Sequence, residues 1–478
     1  MKFYPLFLIL NILTFSFNAS SQISFVDVTS ASGTGLGDGT ARGIAWIDFN
    51  NDGFHDLFVP TSGSSPNKLY KNNGNGTFSE IAAMVGLNDL TNTITCSWAD
   101  MDNDGDADLV TTATSGAVRL WKNNRESGID TTFSNIENEA GITMTGGQMP
   151  GWADFNNDGF VDLYIPLSAT AANPDALYKN NGDNTFTNVA QLAGVNHQAT
   201  NILEQATHWC DFNNDRYSDL YIGNLDAGTS SFIHKNNGDG TFTEISDSFQ
   251  TLNASRGGQW FDFNNDGLWD FCVSPYSGST AVPIQLFKNN GNGTFTDIAS
   301  SAGLTSSFIS WGVMSADFDN DGFEDIFVSA FSSTTICALY RNNGNETFTD
   351  VTAQSGLSNT QALCSASADY DNDGKVDLYL SGPANRLFRN SGDSINHWLN
   401  INLVGTQSNK LGIGALIIVK AGNLKMMRAV NSGSGYRSQN MFTAHFGLYE
   451  YQYADSVIVR WQNGNLDILT NVSANINR

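Results

Sequence analysis

One acidic nine-residue motif recurs seven times along almost the whole chain, and no other feature limits the possible folds so sharply. Its copies begin at Asp48, Asp100, Asp154, Asp211, Asp262, Asp317 and Asp369, at intervals of 52, 54, 57, 51, 55 and 52 residues. They read DFNNDGFHD, DMDNDGDAD, DFNNDGFVD, DFNNDRYSD, DFNNDGLWD, DFDNDGFED and DYDNDGKVD. An apolar run precedes most copies, a β-rich run such as DLFVP follows, and then comes a segment like KLYKNNGNGTFSEI. Asn and Gly tolerate the positive φ of tight β turns, so each repeat supplies four short strands. Four-stranded units at a period of ~50 residues bury their faces only against one another. The expected fold is therefore all-β, a seven-bladed β-propeller over residues 22–392.

A closed ring is expected rather than an open array. A TFxxI-type strand follows the hairpin at Phe78, Phe133, Phe186, Phe242, Phe295 and Phe348, and the seventh repeat lacks one. The segment Ser24, Phe25, Val26, Asp27 and Val28 has the same character but no repeat of its own, so it should complete the last blade and remove two exposed strand edges. Trp46, Trp98, Trp152, Trp209 and Trp260 stand two positions before the motif, with Ser315 and Ser367 in the last two copies. Aromatic side chains there are expected to fill the gap between blades, not to form a sugar-stacking platform.

Within each motif the side chains at positions 1, 3, 5 and 9 carry oxygen, position 6 is usually Gly, and position 7 can offer its carbonyl. Alternating carboxylates and amides around a sharp turn are the wiring of a calcium loop, because a hard cation takes six to eight oxygens. The expected ligands in the first copy are Asp48, Asn50, Asp52 and Asp56 with the carbonyl of Phe54. In the second they are Asp100, Asp102, Asp104, Asp106 (carbonyl) and Asp108; in the third, Asp154, Asn156, Asp158, Phe160 (carbonyl) and Asp162. The fourth offers Asp211, Asn213, Asp215, Tyr217 (carbonyl) and Asp219; the fifth, Asp262, Asn264, Asp266, Leu268 (carbonyl) and Asp270. The sixth offers Asp317, Asp319, Asp321, Phe323 (carbonyl) and Asp325; the seventh, Asp369, Asp371, Asp373, Lys375 (carbonyl) and Asp377. About seven Ca2+ ions, one per blade, are the expected cofactor. Three loops, those starting at Asp100, Asp317 and Asp369, have four ligand carboxylates and should bind most tightly. Arg216 replaces the glycine of the fourth, which should weaken that site without abolishing it.

The charge agrees with a bound cation. The chain has 48 Asp and Glu against 23 Lys and Arg, a formal net charge of -25, and crowded carboxylates oppose compaction unless neutralised. No basic footprint for a phosphate backbone exists, so nucleic acid is excluded as a partner. Lys2, the apolar run 3–17 and the small residues Ala19, Ser20 and Ser21 read as a secretory signal over residues 1–21, too short to span a membrane. Cys96, Cys210, Cys272, Cys337 and Cys364 are odd in number and lack metal-site spacing, which favours buried thiols over a disulfide framework.

These motifs resemble the FG-GAP or VCBS repeats of integrin α-subunit propellers and of many secreted bacterial proteins, whose acidic loops bind calcium. From about Asn396 onward, HWLNINLVGTQSNKLGIGALIIVKAG, SGSGYRSQN, HFGL and VIVRW resemble the ASPIC/UnbV domain that follows such repeats in proteins related to cartilage acidic protein. The resemblance implies a small β domain at 396–478, secretion or a cell-surface location (periplasmic if retained in a Gram-negative cell), and extracellular binding or adhesion without known catalytic residues. Alternating apolar and polar residues in 399–403 and 457–461 independently predict a β unit packed against the ring. The glycines of LGIGA and SGSGY are expected in turns, and Arg437 with its aromatic neighbours is a candidate ligand surface.

The expected partner is an extracellular glycan, matrix component or protein. The competing reading is a polysaccharide lyase or hydrolase on a propeller scaffold. His55, His197, His208, His234, His397 and His445 show no HExxH spacing and no GxSxG is present, which argues against an enzyme. Glu204 and His208 break the uniformity of the repeats, and the loops at 168–175, 224–231 and 277–283 differ between them; both are places where a function can be grafted.

Overall fold

The computed structural model describes residues 22–478 apart from 37–40, 64, 114, 126–130, 168–173, 198–203, 226–229, 250–251, 277, 279, 333–334, 383 and 394. The expected secretory signal lies outside the described residues, as do parts of the three variable loops. No helix among the described residues is long and apolar enough to cross a membrane.

Each repeat folds as its turn chemistry dictates. In the first, the strands Ile44–Ile47, Asp56–Val59, Lys68–Asn72 and Phe78–Glu80 pair antiparallel in chain order, with the acidic loop joining the first two. The hairpin between the last two turns on Gly74 and Gly76, at φ 69° and 81°, a region in which glycine carries no Cβ penalty. Seven sheets of this kind, one per motif, occur among the described residues. Phe25–Asp27 pairs with Arg386–Asn390 as the outer strand of the last sheet, with Phe25 opposite Asn390, so the beginning of the ring closes its end. The outer strands start at the phenylalanines expected from the sequence, Phe78, Phe133, Phe186, Phe242, Phe295 and Phe348.

Packing between sheets is apolar and aromatic. Trp46, Trp98 and Trp152 have no exposed surface, and Trp209 and Trp260 are 5% exposed, so these side chains are core and no sugar platform. Trp46 stacks on Tyr370 of the seventh motif at 6.4 Å, which joins the first blade to the last. All five cysteines are buried and unpaired, as small apolar residues.

The C-terminal region forms a three-stranded sheet of His397–Ile401, Ala444–Tyr449 and Ile476–Asn477 and a four-stranded one of Leu416–Ala421, Leu424–Ala429, Tyr453–Arg460 and Leu466–Ser473. Its apolar residues share one core with the second and third blades, from Leu399 and Phe446 to Met101 and Trp152. It does more than pack against the ring, however. The segment 432–441 descends among the inner strands and contacts every blade. Ser438–Gln439 pairs parallel with Ile44–Ile47. Ser432 bonds Ser97 and Trp152, its carbonyl accepting from Ser97 Oγ and its hydroxyl from the Trp152 amide, each at 2.7 Å. His208 Nε2 lies 2.8 Å from the Gly435 carbonyl, and Gly435 bridges to Gly258. Tyr436 lies over Gly312, and the Ser367 amide donates to Asn440 Oδ1 at 3.0 Å.

The SGSGY glycines therefore serve close approach rather than free turns. A Cβ on Gly257 would lie 2.1 Å from the Gly435 carbonyl oxygen, and one on Gly435 would lie 2.8 Å from that of Val313. Arg437 ends up at the far end of this segment from the acidic loops, since its carbonyl accepts from the amide of Ile44, the first residue of its strand. Its guanidinium donates to Gln148 Oε1 at 2.8 Å and lies 4.9 Å from the Tyr436 ring centre.

Burial lowers the pKa of His208 from 6.5 to about 4. Because the folded value lies below the unfolded one, the neutral imidazole contributes its full stability above pH 6.5 and loses it as pH falls toward 4. The linkage is worth about 3 kcal/mol. Urea denaturation at pH 7 and pH 4.5 should show a smaller acid loss in His208→Gln, which keeps a donor for Gly435 but does not titrate.

Candidate metal-binding loops

The backbone of each acidic loop is wired by its own first carboxylate. In the first copy the Asp52 and Gly53 amides donate to the two oxygens of Asp48 at 3.0 and 2.8 Å, and the Phe54 amide donates to Asp52 Oδ1 at 3.1 Å. The same pair converges on Asp154 at 3.0 and 2.8 Å and on Asp317 at 3.1 and 2.8 Å. The ninth-position carboxylates are held from the third strand: Asn72, Asn123, Asn180, Asn236, Asn289, Asn342 and Asn390 donate their amides to Asp56, Asp108, Asp162, Asp219, Asp270, Asp325 and Asp377 at 2.7 to 2.8 Å. Backbone amides thereby hold the carboxylates at positions 1 and 9 in place.

Carboxylate oxygens of Asp100, Asp102 and Asp108 lie within 4.8 Å of one another, as do those of Asp317, Asp319 and Asp325, and of Asp369, Asp371 and Asp377. These are the loops with Asp at position 3. In the other four an Asn stands there, and its amide donates back into the loop in three of them, as Asn50 Nδ2 does to Asp52 Oδ2 at 3.0 Å. The seventh-position residues Phe54, Asp106, Phe160, Tyr217, Leu268, Phe323 and Lys375 each give their amide to the position-5 carboxylate, which sets the turn they occupy.

Electrostatics make these loops costly without a cation. Burial first, and neighbouring carboxylates second, raise Asp270 to about 8, and burial brings Asp100, Asp154, Asp262 and Asp369 to about 7. Burial likewise drives Asp56, Asp162, Asp325 and Asp377 well above the ordinary range. Buried oxygens Asp56 Oδ2, Asp270 Oδ2, Asp369 Oδ1 and Asp371 Oδ1 accept no hydrogen bond. A hard divalent cation fits this donor set: it supplies positive charge where oxygen lone pairs have no other partner.

Two parts of the loops escaped the sequence reading. First, a basic residue of the third strand reaches the carboxylates at positions 3 and 5: Lys71 lies 3.1 Å from Asp52 Oδ2, Arg341 lies 2.6 and 2.8 Å from Asp319 and Asp321, and Arg389 lies 2.5 and 2.8 Å from Asp371 and Asp373. In these three loops the ligand carboxylates outnumber the cationic side chains paired with them, which leaves the loops negative. Second, the fourth position is Asn in all seven copies, always at φ 55 to 61°. Asn51 Nδ2 donates to Gly105 O of the next loop at 3.0 Å, Asn103 to Gly159 O at 2.9 Å, and Asn372 to Gly53 O at 3.0 Å, which closes the circle. In the other direction Asn72 Nδ2 donates to Tyr370 O and Asn123 Nδ2 to Phe49 O, at 2.8 and 3.1 Å. The recurrence of Asn at both positions was visible in the sequence, but its reach into the neighbouring repeat was not.

Arg216 adopts φ 80° where the other copies have glycine at 81 to 96°. Holding a side chain there costs about 1 kcal/mol, and the Asn157 side chain needs only the Arg216 carbonyl. Arg216→Gly should therefore raise stability by about 1 kcal/mol in urea denaturation.

The C-terminal sheets cover the inner ends of the loops. Asn400 Nδ2 donates to Asp369 Oδ2 at 2.9 Å, and His445 bridges Asn400 and Asn320 at 2.6 Å on each side. Lys410 donates its amide to Asn103 Oδ1, and Gln462 Nε2 donates to the Asp154 carbonyl, at 3.1 and 3.3 Å. A Cβ on Gly447 would meet Asp317 Oδ2 at 2.1 Å, so glycine there lets the sheet sit on the sixth loop.

A ring of four-stranded sheets, each with an acidic loop between its first two strands, defines a β-propeller of the FG-GAP-like class. The chain matches the FG-GAP-like repeat family over residues 48–111, 211–273, 262–328 and 330–380 and the ASPIC and UnbV family over 405–477. It is an FG-GAP-like repeat protein with an ASPIC and UnbV domain, homologous to cartilage acidic protein 1 over most of its length. Identity to mouse cartilage acidic protein 1 is 25% over 468 residues, covering 89% of this chain and 71% of the mouse protein. The human protein is 29% identical over 267 residues, covering 52% of this chain and 39% of the human one. Among solved structures, an Agrocybe aegerita lectin with specific recognition of non-reducing terminal N-acetylglucosamine aligns with a TM-score of 0.42 at 19% identity, over 67% of this chain and 82% of the lectin.

Proposed function

We propose that this protein is a secreted, calcium-loaded propeller that works as an extracellular binding or adhesion module and catalyses no reaction. The observation that carries the calcium assignment is the set of prewired acidic loops, in which buried carboxylate oxygens without hydrogen-bond partners face one another. Calcium suits them better than magnesium, because these loops offer many protein oxygens and magnesium retains its waters. Seven divalent ions would bring 14 positive charges against the formal -25.

Homology to an acidic protein named for cartilage supports an extracellular setting. A binding role is supported by what fills the ring. Segment 432–441 occupies the space among the inner strands, where a propeller could otherwise take a small substrate, so recognition is left to the outer surfaces and the variable loops. The ligand is a glycan, a matrix component or a protein. The test is retention of the calcium-loaded protein on arrays of glycans and immobilised extracellular proteins, repeated with EGTA. Calcium-dependent retention on one class supports the reading; turnover of a polysaccharide during the same incubation would favour the lyase or hydrolase alternative.

A further inference from the structure

A cluster of metal-ligating side chains lies away from the acidic loops, at the other end of the third and fourth blades. Asp175 immediately precedes the strand Ala176–Asn180, Glu204 begins the strand Glu204–Cys210, and His197 lies between these strands in the chain. One ligand atom from each, two carboxylate oxygens and an imidazole nitrogen, lie within 4.8 Å of one another. His197 Nδ1 is 2.5 Å from Glu204 Oε1 and 3.5 Å from Asp175 Oδ2. Both carboxylate side chains are 1% exposed, whereas His197 is 16% exposed and gives the cluster a route to solvent.

Charge and orientation both suit a bound cation. Among the described residues neither carboxylate has a Lys or Arg partner, so one imidazolium at most opposes two buried negative charges, and the surplus is costly in a low-dielectric setting. Asp175 is aimed by outer contacts, accepting from Tyr164 Oη at 2.6 Å and from the Leu167 amide at 2.7 Å. A second histidine backs the first. His234 is 3% exposed, its Nε2 lies 3.1 Å from His197 Nε2, and its Nδ1 has no partner, so its hydrogen bonding is directed into the cluster. With a divalent ion bound to His197 Nδ1, the Nε2–H would donate to His234, the arrangement that fixes ligand tautomers in metal sites.

We propose that Asp175, His197 and Glu204 form a site for a first-row transition metal of the zinc class, with His234 as its supporting histidine. Two carboxylates and a neutral imidazole balance a divalent charge, and the nitrogen ligand selects against calcium, which takes oxygen. The site would staple the connections of two adjacent blades where the acidic loops cannot reach.

The experiment is a calorimetric zinc titration of the full mature chain in excess calcium, so that acidic loops are occupied or saturated and do not compete. One zinc per chain is expected, with affinity reduced at least 100-fold in His197→Ala and at least tenfold in Glu204→Gln. Visible absorption of the cobalt(II)-loaded protein, lost in His197→Gln, gives a second readout should His197→Ala fail to fold. No stoichiometric zinc uptake, or equal uptake by wild type and both His197 variants, would overturn the assignment and leave the cluster a buried ion pair. The loss of one site in the His197 and Glu204 variants, not the total uptake, separates this cluster from the acidic loops, so the test reads the same whether or not those loops bind calcium.

Discussion

Removing calcium should lower the melting temperature by about 20 °C at pH 7.5. Calcium at ~100 times its dissociation constant adds about 2.7 kcal/mol per independent site, so seven sites contribute about 19 kcal/mol. An unfolding entropy of about 2.1 cal/mol/K per residue makes a chain of 478 residues lose about one degree per kcal/mol. Differential scanning calorimetry with millimolar calcium and then with EGTA measures the shift. Part of the loss should be recovered by acid in the metal-free protein alone. Asp270, raised to about 8, and Asp100, Asp154, Asp262 and Asp369, raised to about 7, take up protons more readily folded than unfolded. A raised folded pKa gives stability that is complete below the unfolded value near 3.8 and lost as pH rises through the folded one. The metal-free melting temperature should thus climb between pH 8 and pH 5.5.

Truncation after residue 392 should have a still larger effect: no soluble, monomeric ring. The seven inner strands would lose the segment that hydrogen-bonds or packs against each of them, and the core shared by Leu399, Phe446, Met101 and Trp152 would be opened to water. The loops starting at Asp317 and Asp369 would also lose the cover of Gly447 and Asn400. A milder probe is Gly257→Ala, whose Cβ would meet the Gly435 carbonyl at 2.1 Å and force two backbones apart. Overpacking of this kind costs about 1–3 kcal/mol and should open 432–441 to limited proteolysis. A truncated ring that stays monomeric with an unchanged melting temperature would contradict the role given to this segment.

Local chemistry was legible in the sequence and long-range chemistry was not. The strands, the hairpins on Gly74 and Gly76 and the buried tryptophans follow from patterns within one repeat, where side-chain period and turn residues act over a few positions; the closing strand Phe25–Asp27 is the exception, a long-range pairing legible because the seventh repeat lacks the outer strand that the other six have. Glu204 and His208 both stood out as departures from the repeat, yet they do different things: Glu204 joins Asp175 and His197, while His208 holds Gly435. Distance along the chain hid the partner of His208, since it and Gly435 are 227 residues apart, whereas His197 stands only seven residues from Glu204 and was hidden because both lie outside the repeated motif. The glycines of SGSGY looked like turn formers because nothing in a sequence marks the backbone of another segment packed within van der Waals contact. Asn51 and its six counterparts left a readable trace as a fixed Asn at motif position 4, but a side chain that serves the next repeat cannot be assigned from its own repeat alone.

Calorimetric titration of the chelated, purified protein with calcium tests the central claim most directly. The acidic loops predict about seven ions per chain, the tightest in the loops of Asp100, Asp317 and Asp369, with protons released on binding as the raised carboxylates ionise. No binding at millimolar calcium would contradict the assignment and leave the seven loops as protonated turns.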